Sequence, residues 1–392
     1  MNILFLLKTL DIGGVEIVTK TLANKFVEEG HNVSIFAFAP AKNSIEQSFN
    51  NIINIYIQKK LQYSKENIST LRQVLIKDSI DIIINQWGLP FLPIKIALKA
   101  SKHLNVKIIS IHHNSPKANG ILQNIETQLS STTNPLKRFF LHYKKIIYQQ
   151  ITSHSMRYVY NHSDLFMVLS PSFIEEFKSF TKISKTKKLI IQTNPVTIDS
   201  SDFQYSLMDK QKEIIYVGRI DYNQKRVYRV IDTWEKLENK YPEWKLTIVG
   251  DGLERKNLEK KVKELNLKHI RFEGFQSPKA YYERASILIL TSEYEGFPLV
   301  LAECMSFGVI PVVYGSYSAV YDIIKNKTNG IIIQPQQGKF DAAEMAKQLS
   351  DLMNNEALRN KMAHEAIQTS KNNYSLETIY QSWEKIFNKL IY

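Results

Sequence analysis

Thr291-Ser292-Glu293-Tyr294-Glu295-Gly296-Phe297-Pro298-Leu299-Val300-Leu301-Ala302-Glu303 is the stretch from which the rest of the chain is best read. The apolar run Ile287 to Leu290 ahead of it reads as a buried strand. Glu295 and Gly296 then form a turn, and Pro298 fits the first turn of a helix, where a missing N–H costs nothing. Glu303 follows five residues later, about 7.5 Å along such a helix. One carboxylate thus sits in the loop after a strand and a second on the next helix. Between them lie the first amides of that helix, a favourable place for an anion. This layout suits a ligand with hydroxyls at both ends and a diphosphate in the middle, the outline of a nucleotide sugar. Alone, the same residues better describe a solvated helix start with acidic groups near its positive end. The surrounding chain has to decide.

Outward from this stretch, short apolar runs alternate with helical patterns. Toward the N-terminus the expected strands are 2–7, 32–38, 52–57, 80–85, 106–111, 164–169 and 188–192. A polar, aperiodic stretch follows, opening with Asn194-Pro195 and running to Gln211, and is the expected linker. A second set covers 213–217, 245–249, 269–272, 287–290, 310–313 and 330–333. Alternation of this kind implies α/β architecture with parallel sheets and helices on both faces. The expected organisation is two Rossmann-like doubly wound domains facing across a cleft, 1–193 and 212–372, joined by 194–211. The amphipathic segment 373–392 is expected to form a helix that packs back on the first domain.

Composition narrows the class of protein. A chain of 392 residues exceeds one ordinary core. No apolar run is long enough to span a bilayer. The first strand has no basic segment before it, so it is not read as a signal peptide. Cys304 is the lone cysteine, which excludes an internal disulfide and a multi-cysteine zinc site and points to the cytoplasm. The net charge of +13 favours anionic partners. Lys137, Arg138, Lys144 and Lys145 share a helical stretch with Leu136, Phe139, Phe140, Tyr143, Ile146 and Ile147. A basic amphipathic helix can lie on an anionic membrane surface, and it can equally be a solvated face. Without a basic–aromatic RNA motif, no nucleic-acid partner is expected.

Further motifs end the other strands. Gly13-Gly14-Val15-Glu16 follows the first strand and opens a helix, allowing close backbone approach to a ligand, though without the third glycine of a dinucleotide fingerprint. Gly218-Arg219 ends another strand, with Lys225 six residues on, opening the next helix. Arg and Lys there can converge on a diphosphate. Gly250, in Val249-Gly250-Asp251-Gly252, and Gly274-Phe275 mark turns at a rim where a base could sit. His112 and His113 end a first-domain strand. Neighbouring strand residues point to opposite faces, so one of the two is expected at a site. No metal-ligand spacing and no D-x-D pair occur.

Together these residues resemble the retaining glycosyltransferases of sequence family 4, which have two Rossmann-like domains, the GT-B architecture. The resemblance runs along nearly the whole chain, through Gly13-Gly14-Val15-Glu16, the strand-end histidines, Asn194-Pro195-Val196, Gly218-Arg219 with Gln224-Lys225, Val249-Gly250-Asp251-Gly252, and Glu295 with Glu303. It implies roles at matching positions. Arg219 and Lys225 would neutralise the departing diphosphate in place of a metal, helped by amides around Gly296, Phe297, Pro298, Leu299 and Val300. Glu303 would accept from the ribose and Glu295 would contact the transferred sugar. Gly13 and Gly14 would approach the diphosphate, and His112 or His113, with His113 preferred, would sit near the reacting sugar. Gly250, Gly274 and Phe275 complete the expected donor site, and no cofactor or metal is expected.

The implied reaction moves a hexosyl or N-acetylhexosaminyl unit from a nucleotide sugar, UDP-linked by preference, to a glycan or lipid-linked glycan acceptor in cell-surface polysaccharide synthesis. Val15 and Arg226 depart from the family's usual Ala and Gly. The stretch 117–157 matches no family motif and is expected to set acceptor choice and membrane contact. Rival readings are a nucleotide-sugar epimerase or phosphorylase of the same architecture, and an inactive glycosyltransferase-like scaffold.

Overall fold

The computed structural model describes residues 1–391, with only the backbone described at residue 130. The chain divides into two compact units, Met1–Thr197 with Leu376–Tyr392, and Ile198–Ser375.

The first unit holds seven strands: β1 (Asn2–Leu7), β2 (Asn32–Ala37), β3 (Asn54–Ile57), β4 (Ile82–Asn85), β5 (Lys107–His112), β6 (Leu165–Val168) and β7 (Leu189–Ile191). They form one sheet in the order β3-β2-β1-β4-β5-β6-β7, parallel throughout. Leu4 pairs with Ser34 on one side and Ile83 on the other. Near-continuous apolar runs such as Ile3 to Leu7, all buried, are what a sheet covered on both faces requires. The covering helices are α1 (Gly14–Glu28), α2 (Lys65–Lys77), α3 (Phe91–Ala100), α4 (Gly120–Ser131), α5 (Pro135–Asn161) and α6 (Ser172–Thr181).

The second unit holds β8 (Gln211–Val217), α7 (Tyr228–Trp234), β9 (Lys245–Val249), α8 (Arg255–Glu264), β10 (Ile270–Gly274), α9 (Lys279–Arg284), β11 (Ala285–Leu290), α10 (Leu299–Ser306), β12 (Ile310–Tyr314), α11 (Ala319–Ile323), β13 (Ile331–Ile333), α12 (Ala342–Asn354) and α13 (Glu356–Tyr374). Its six strands run β10-β9-β8-β11-β12-β13, again parallel. Ile214 of β8 pairs with Leu246 and Ile287. In both sheets the order reverses beside the first strand, between β1 and β4 and between β8 and β11. Ligands of open α/β sheets bind outside the carboxyl ends of the strands at such a reversal.

The last helix, α14 (Leu376–Ile391), packs on α1. Phe26 is its anchor, 5.8 Å from Trp383 and 5.4 Å from Phe387, and Lys25 Nζ reaches Glu377 at 3.0 Å.

Thirteen strands stand where the apolar runs place them, and the differences are local. The strand expected from residue 52 begins at Asn54, because Ile53 still donates its amide to the Asn50 carbonyl in a turn. β5 extends one residue further than the run suggests, so His112 ends the strand. The polar stretch 198–211 is packed onto the second unit. Phe203 lies 5.0 Å from Phe307. Lys210 Nζ donates to the carbonyls of Tyr282 and Glu283, and burial pushes its ammonium down to about 7.

Candidate active site

The loops after β8 and β11 meet at the reversal point of the second sheet, and Asp221 organises the first of them. Its Oδ1 accepts from the amides of Gln224 (2.7 Å) and Lys225 (3.0 Å), and its Oδ2 from Arg219 Nε at 2.9 Å. A carboxylate closing a turn over the amides that follow is an Asx-type device. Lys225 therefore lies in a capped turn and, contrary to the expectation from its spacing, does not open the next helix. Arg226 takes a left-handed φ of 51°, and α7 begins at Tyr228.

This turn is stitched to the loop after β11. Glu293 donates its amide to the Gln224 carbonyl at 2.7 Å, and Thr291 Oγ1 donates to the carbonyls of Lys225 and Arg226. The side chains continue the seam. Arg219 NH2 donates to Gln224 Oε1 at 3.0 Å, Gln224 Nε2 to Glu295 Oε2 at 3.3 Å, and Lys225 Nζ to Glu295 Oε1 at 2.5 Å. Arg219, Gln224, Glu295 and Lys225 form one unbroken chain. Its inner end is buried, with Lys225 and Glu295 side chains 15% and 8% exposed. Arg219, 65% exposed, reaches outward.

The buried hydroxyls of Tyr317 and Ser292, beside this chain, have no hydrogen-bond partner. Burial, with the Glu295 carboxylate nearby, pushes the Tyr317 phenol well up. A buried hydroxyl without a partner is expensive, and a ligand hydroxyl would satisfy it. Sequence patterns point to neither residue.

α10 starts at Leu299 behind Pro298, one residue later than the proline's position suggests, and no side chain caps it. The Phe297 ring is buried against Tyr374, 5.2 Å away, so only its backbone can serve a ligand. Glu303, on the second turn, is buried and accepts from Tyr282 OH at 3.4 Å.

The glycines of the rim have a steric role. A Cβ on Gly250, whose φ is 145°, would lie 1.9 Å from the Gly218 carbonyl oxygen. Gly252 approaches the Ile220 carbonyl similarly, at 2.2 Å. The loops after β8 and β9 therefore run backbone against backbone, and Gly250 donates to the Gly274 carbonyl at 2.7 Å. Phe275 follows with 69% of its surface exposed.

In the first unit, the loop after β1 is tied down by Asp11, whose Oδ1 accepts from the amides of Lys42 and Asn43. Those bonds hold its carboxyl below the usual range. Gly13 precedes α1 and Gly14 begins it. The space a Gly13 side chain would take is filled by the Glu16 carboxylate, 2.4 Å from that Cβ position. His112 ends β5 with Nε2 3.5 Å from the Ser115 carbonyl. His113 Nε2 lies 2.6 Å from Gln86 Oε1, in the loop after β4. Burial pushes His112 down to about 4, and burial with the neighbouring His112 pushes His113 down to about 3. Both are neutral near pH 7. Gly88 makes this arrangement possible, since a Cβ there would come within 2.7 Å of His112 Cβ. Gln86 and Gly88 carry no motif, and only the fold brings them to the histidines. Among the described residues, no group of three or more His, Cys, Asp or Glu is arranged to hold a metal ion.

Two family models match the chain in succession. Residues 12–199 match Glycosyltransferase Family 4, and 197–369 match Glycosyl transferases group 1. The chain is a family 4, group 1 glycosyltransferase. This glycosyltransferase is 27% identical over 98% of both chains to the "GalNAc-alpha-(1->4)-GalNAc-alpha-(1->3)-diNAcBac-PP-undecaprenol alpha-1,4-N-acetyl-D-galactosaminyltransferase" of Campylobacter jejuni. It is 28% identical to an uncharacterized glycosyltransferase of Haemophilus influenzae, covering 97% of its own length and 98% of the relative's. The crystal structure of Anabaena HepE in complex with UDP superposes with a TM-score of 0.75 at 16% identity, covering 99% of this chain and all of that one. The glycosyltransferase therefore has the GT-B fold. No helix among the described residues is long and apolar enough to cross a membrane.

Proposed function

We propose that this glycosyltransferase moves a hexosyl or N-acetylhexosaminyl unit, with retention of anomeric configuration, from a UDP-sugar to a lipid-linked glycan, in the assembly of a cell-surface polysaccharide. The observation that carries the proposal is the Arg219–Gln224–Glu295–Lys225 chain at the β8–β11 reversal point, flanked by the unpaired hydroxyls of Tyr317 and Ser292. In the reaction the bond between the sugar's anomeric carbon and the diphosphate breaks, and the electron pair leaves with the diphosphate. Arg219 and Lys225 face that growing charge without a metal, and the first amides of α10 add to them. The acceptor oxygen bonds the anomeric carbon on the same face and gives its proton to the departing phosphate oxygen.

Each further group has a task under this proposal. Glu295, already an acceptor, receives hydroxyls of the transferred sugar and fixes its orientation. Glu303 accepts from the ribose, Phe275 and the Gly250 and Gly274 turns border the base, and Gly13 and Gly14 approach the diphosphate. His113, neutral at working pH, hydrogen-bonds the reacting sugar and does not donate a full proton. The lipid-linked acceptor is supported by the undecaprenol-linked substrate named for the Campylobacter relative. With nucleotide sugars made in the cytoplasm, the enzyme works there, at the membrane's inner face.

A panel of nucleotide sugars, assayed with chelator present, tests this. Turnover of one UDP-sugar into a glycan product of retained configuration is the expected result. Interconversion of the free nucleotide sugar without acceptor would make the protein an epimerase. No nucleotide binding at all would make it an inactive scaffold.

A further inference from the structure

We propose that α5 docks flat on an anionic bilayer through an apolar face that the fold leaves uncovered. Leu136, Phe139 and Phe140 are 83%, 75% and 69% exposed, and Tyr143, Ile146 and Ile147 are exposed with them. At 3.6 residues per turn these six fall within an arc of roughly 120°. Part of the opposite side packs on α4. Leu141 packs with Ile125 and Leu129 of α4, and Tyr148 closes that small core. Lys145 is paired with Glu126 of α4 at 2.8 Å. The apolar arc is thus surplus to folding. A stripe of large apolar side chains held in water marks a contact surface.

Charge selects the occupant. Lys144 and Lys137 follow one edge of the arc, within roughly 60° of it, and both are exposed, as is Arg138 on the far side. Over its 27 residues α5 contains no Asp or Glu. A second copy of this chain seated symmetrically on the same face would set those cations against their own equivalents, with no carboxylate on the helix to offset them. Anionic lipid headgroups complement them, while the aromatic and aliphatic side chains enter the acyl boundary below. The helix lies in the interface and does not span it. The proposal deepens the lipid-linked acceptor reading, because a membrane-bound helix brings the first unit to the plane where such an acceptor is anchored.

Vesicle co-sedimentation of the full chain tests it without any sugar transfer, so it can fail independently of the proposed reaction. The wild type is expected to pellet with phosphatidylglycerol-containing vesicles at low salt, and about tenfold less with phosphatidylcholine alone. The variant Phe139→Ser/Phe140→Ser/Ile146→Ser should stay in the supernatant while keeping its melting temperature and its helical circular-dichroism signal. A spin label on Phe140→Cys reads depth directly, and Cys304 is buried and does not compete. The label is expected below the headgroups. Wild-type protein left in the supernatant, a label that stays in water on bound protein, or a concentration-dependent dimer abolished by the triple substitution in place of vesicle binding would each overturn the proposal.

Discussion

Replacing Glu295 by Gln separates the electrostatic role of this residue from its shape. Gln keeps an oxygen to accept from Gln224, but it leaves the Lys225 ammonium without its partner 2.5 Å away. The gross attraction across that distance is about 6–7 kcal/mol at an effective dielectric of ~20, most of it cancelled by the desolvation of both groups. Removing one member of a buried pair typically costs about 3–5 kcal/mol, because the other remains buried and unpaired. Lys225 is 15% exposed, so the lower end, about 3 kcal/mol, is expected. For a unit of this size that lowers the melting temperature by roughly 6–12 °C. Lys225→Met should act similarly, leaving Glu295 stranded. The double variant Lys225→Met/Glu295→Gln should lose less than the sum of the singles by about 2 kcal/mol or more. Thermal melts of the four proteins provide the cycle. Additive losses would show that the two side chains do not interact in solution and would refute the reasoning.

Other predictions concern the groups around this pair. Tyr317→Phe removes a buried hydroxyl that has no partner, so the free protein should keep or gain stability, while donor turnover falls about tenfold if that hydroxyl bonds the sugar; an unchanged rate would place the donor elsewhere. Gly250→Ala puts a Cβ 1.9 Å from the Gly218 carbonyl oxygen and should separate the β8 and β9 loops, seen as loss of nucleotide-induced stabilisation; retained stabilisation would show that the loops do not set the site. His112 and His113 bind protons in the folded chain only near pH 4 and 3, against an ordinary value of ~6.5. Between those limits the unfolded chain holds more protons, so the stability these two neutral rings contribute is complete above pH 6.5. It is lost as pH falls toward 4, by about 1.4 kcal/mol per pH unit for each ring. His113→Gln should flatten the melting temperature's fall with acid, and an unchanged slope would show that His113 protonates freely.

The fold was legible because parallel strands covered on both faces must be apolar along their length, so Ile287 to Leu290 and its counterparts stand out. The site was legible only in part. Arg219, Lys225, Glu295 and the glycine turns announce themselves at strand ends. Asp221 is an acidic residue in a loop until its carboxylate is seen closing the turn that carries Lys225. Tyr317 and Gln86 matter through neighbours distant in sequence, and no local period marks them. Residues 198–211, the larger part of the expected linker 194–211, pack through a few scattered aromatics, Phe203 and Tyr205 among them, and scattered contacts leave no periodicity. The α5 periodicity was plain, whereas the side of the helix left uncovered depends on where α4 lies.

Calorimetric titration of UDP into the wild type and Lys225→Ala, both in chelator, tests most directly whether Lys225 and its neighbours hold a nucleoside diphosphate. The account predicts metal-free binding by the wild type, weakened roughly 10- to 100-fold by the loss of one charge-assisted contact. Equal affinity in the two proteins, or binding only after a divalent metal is restored, would contradict it.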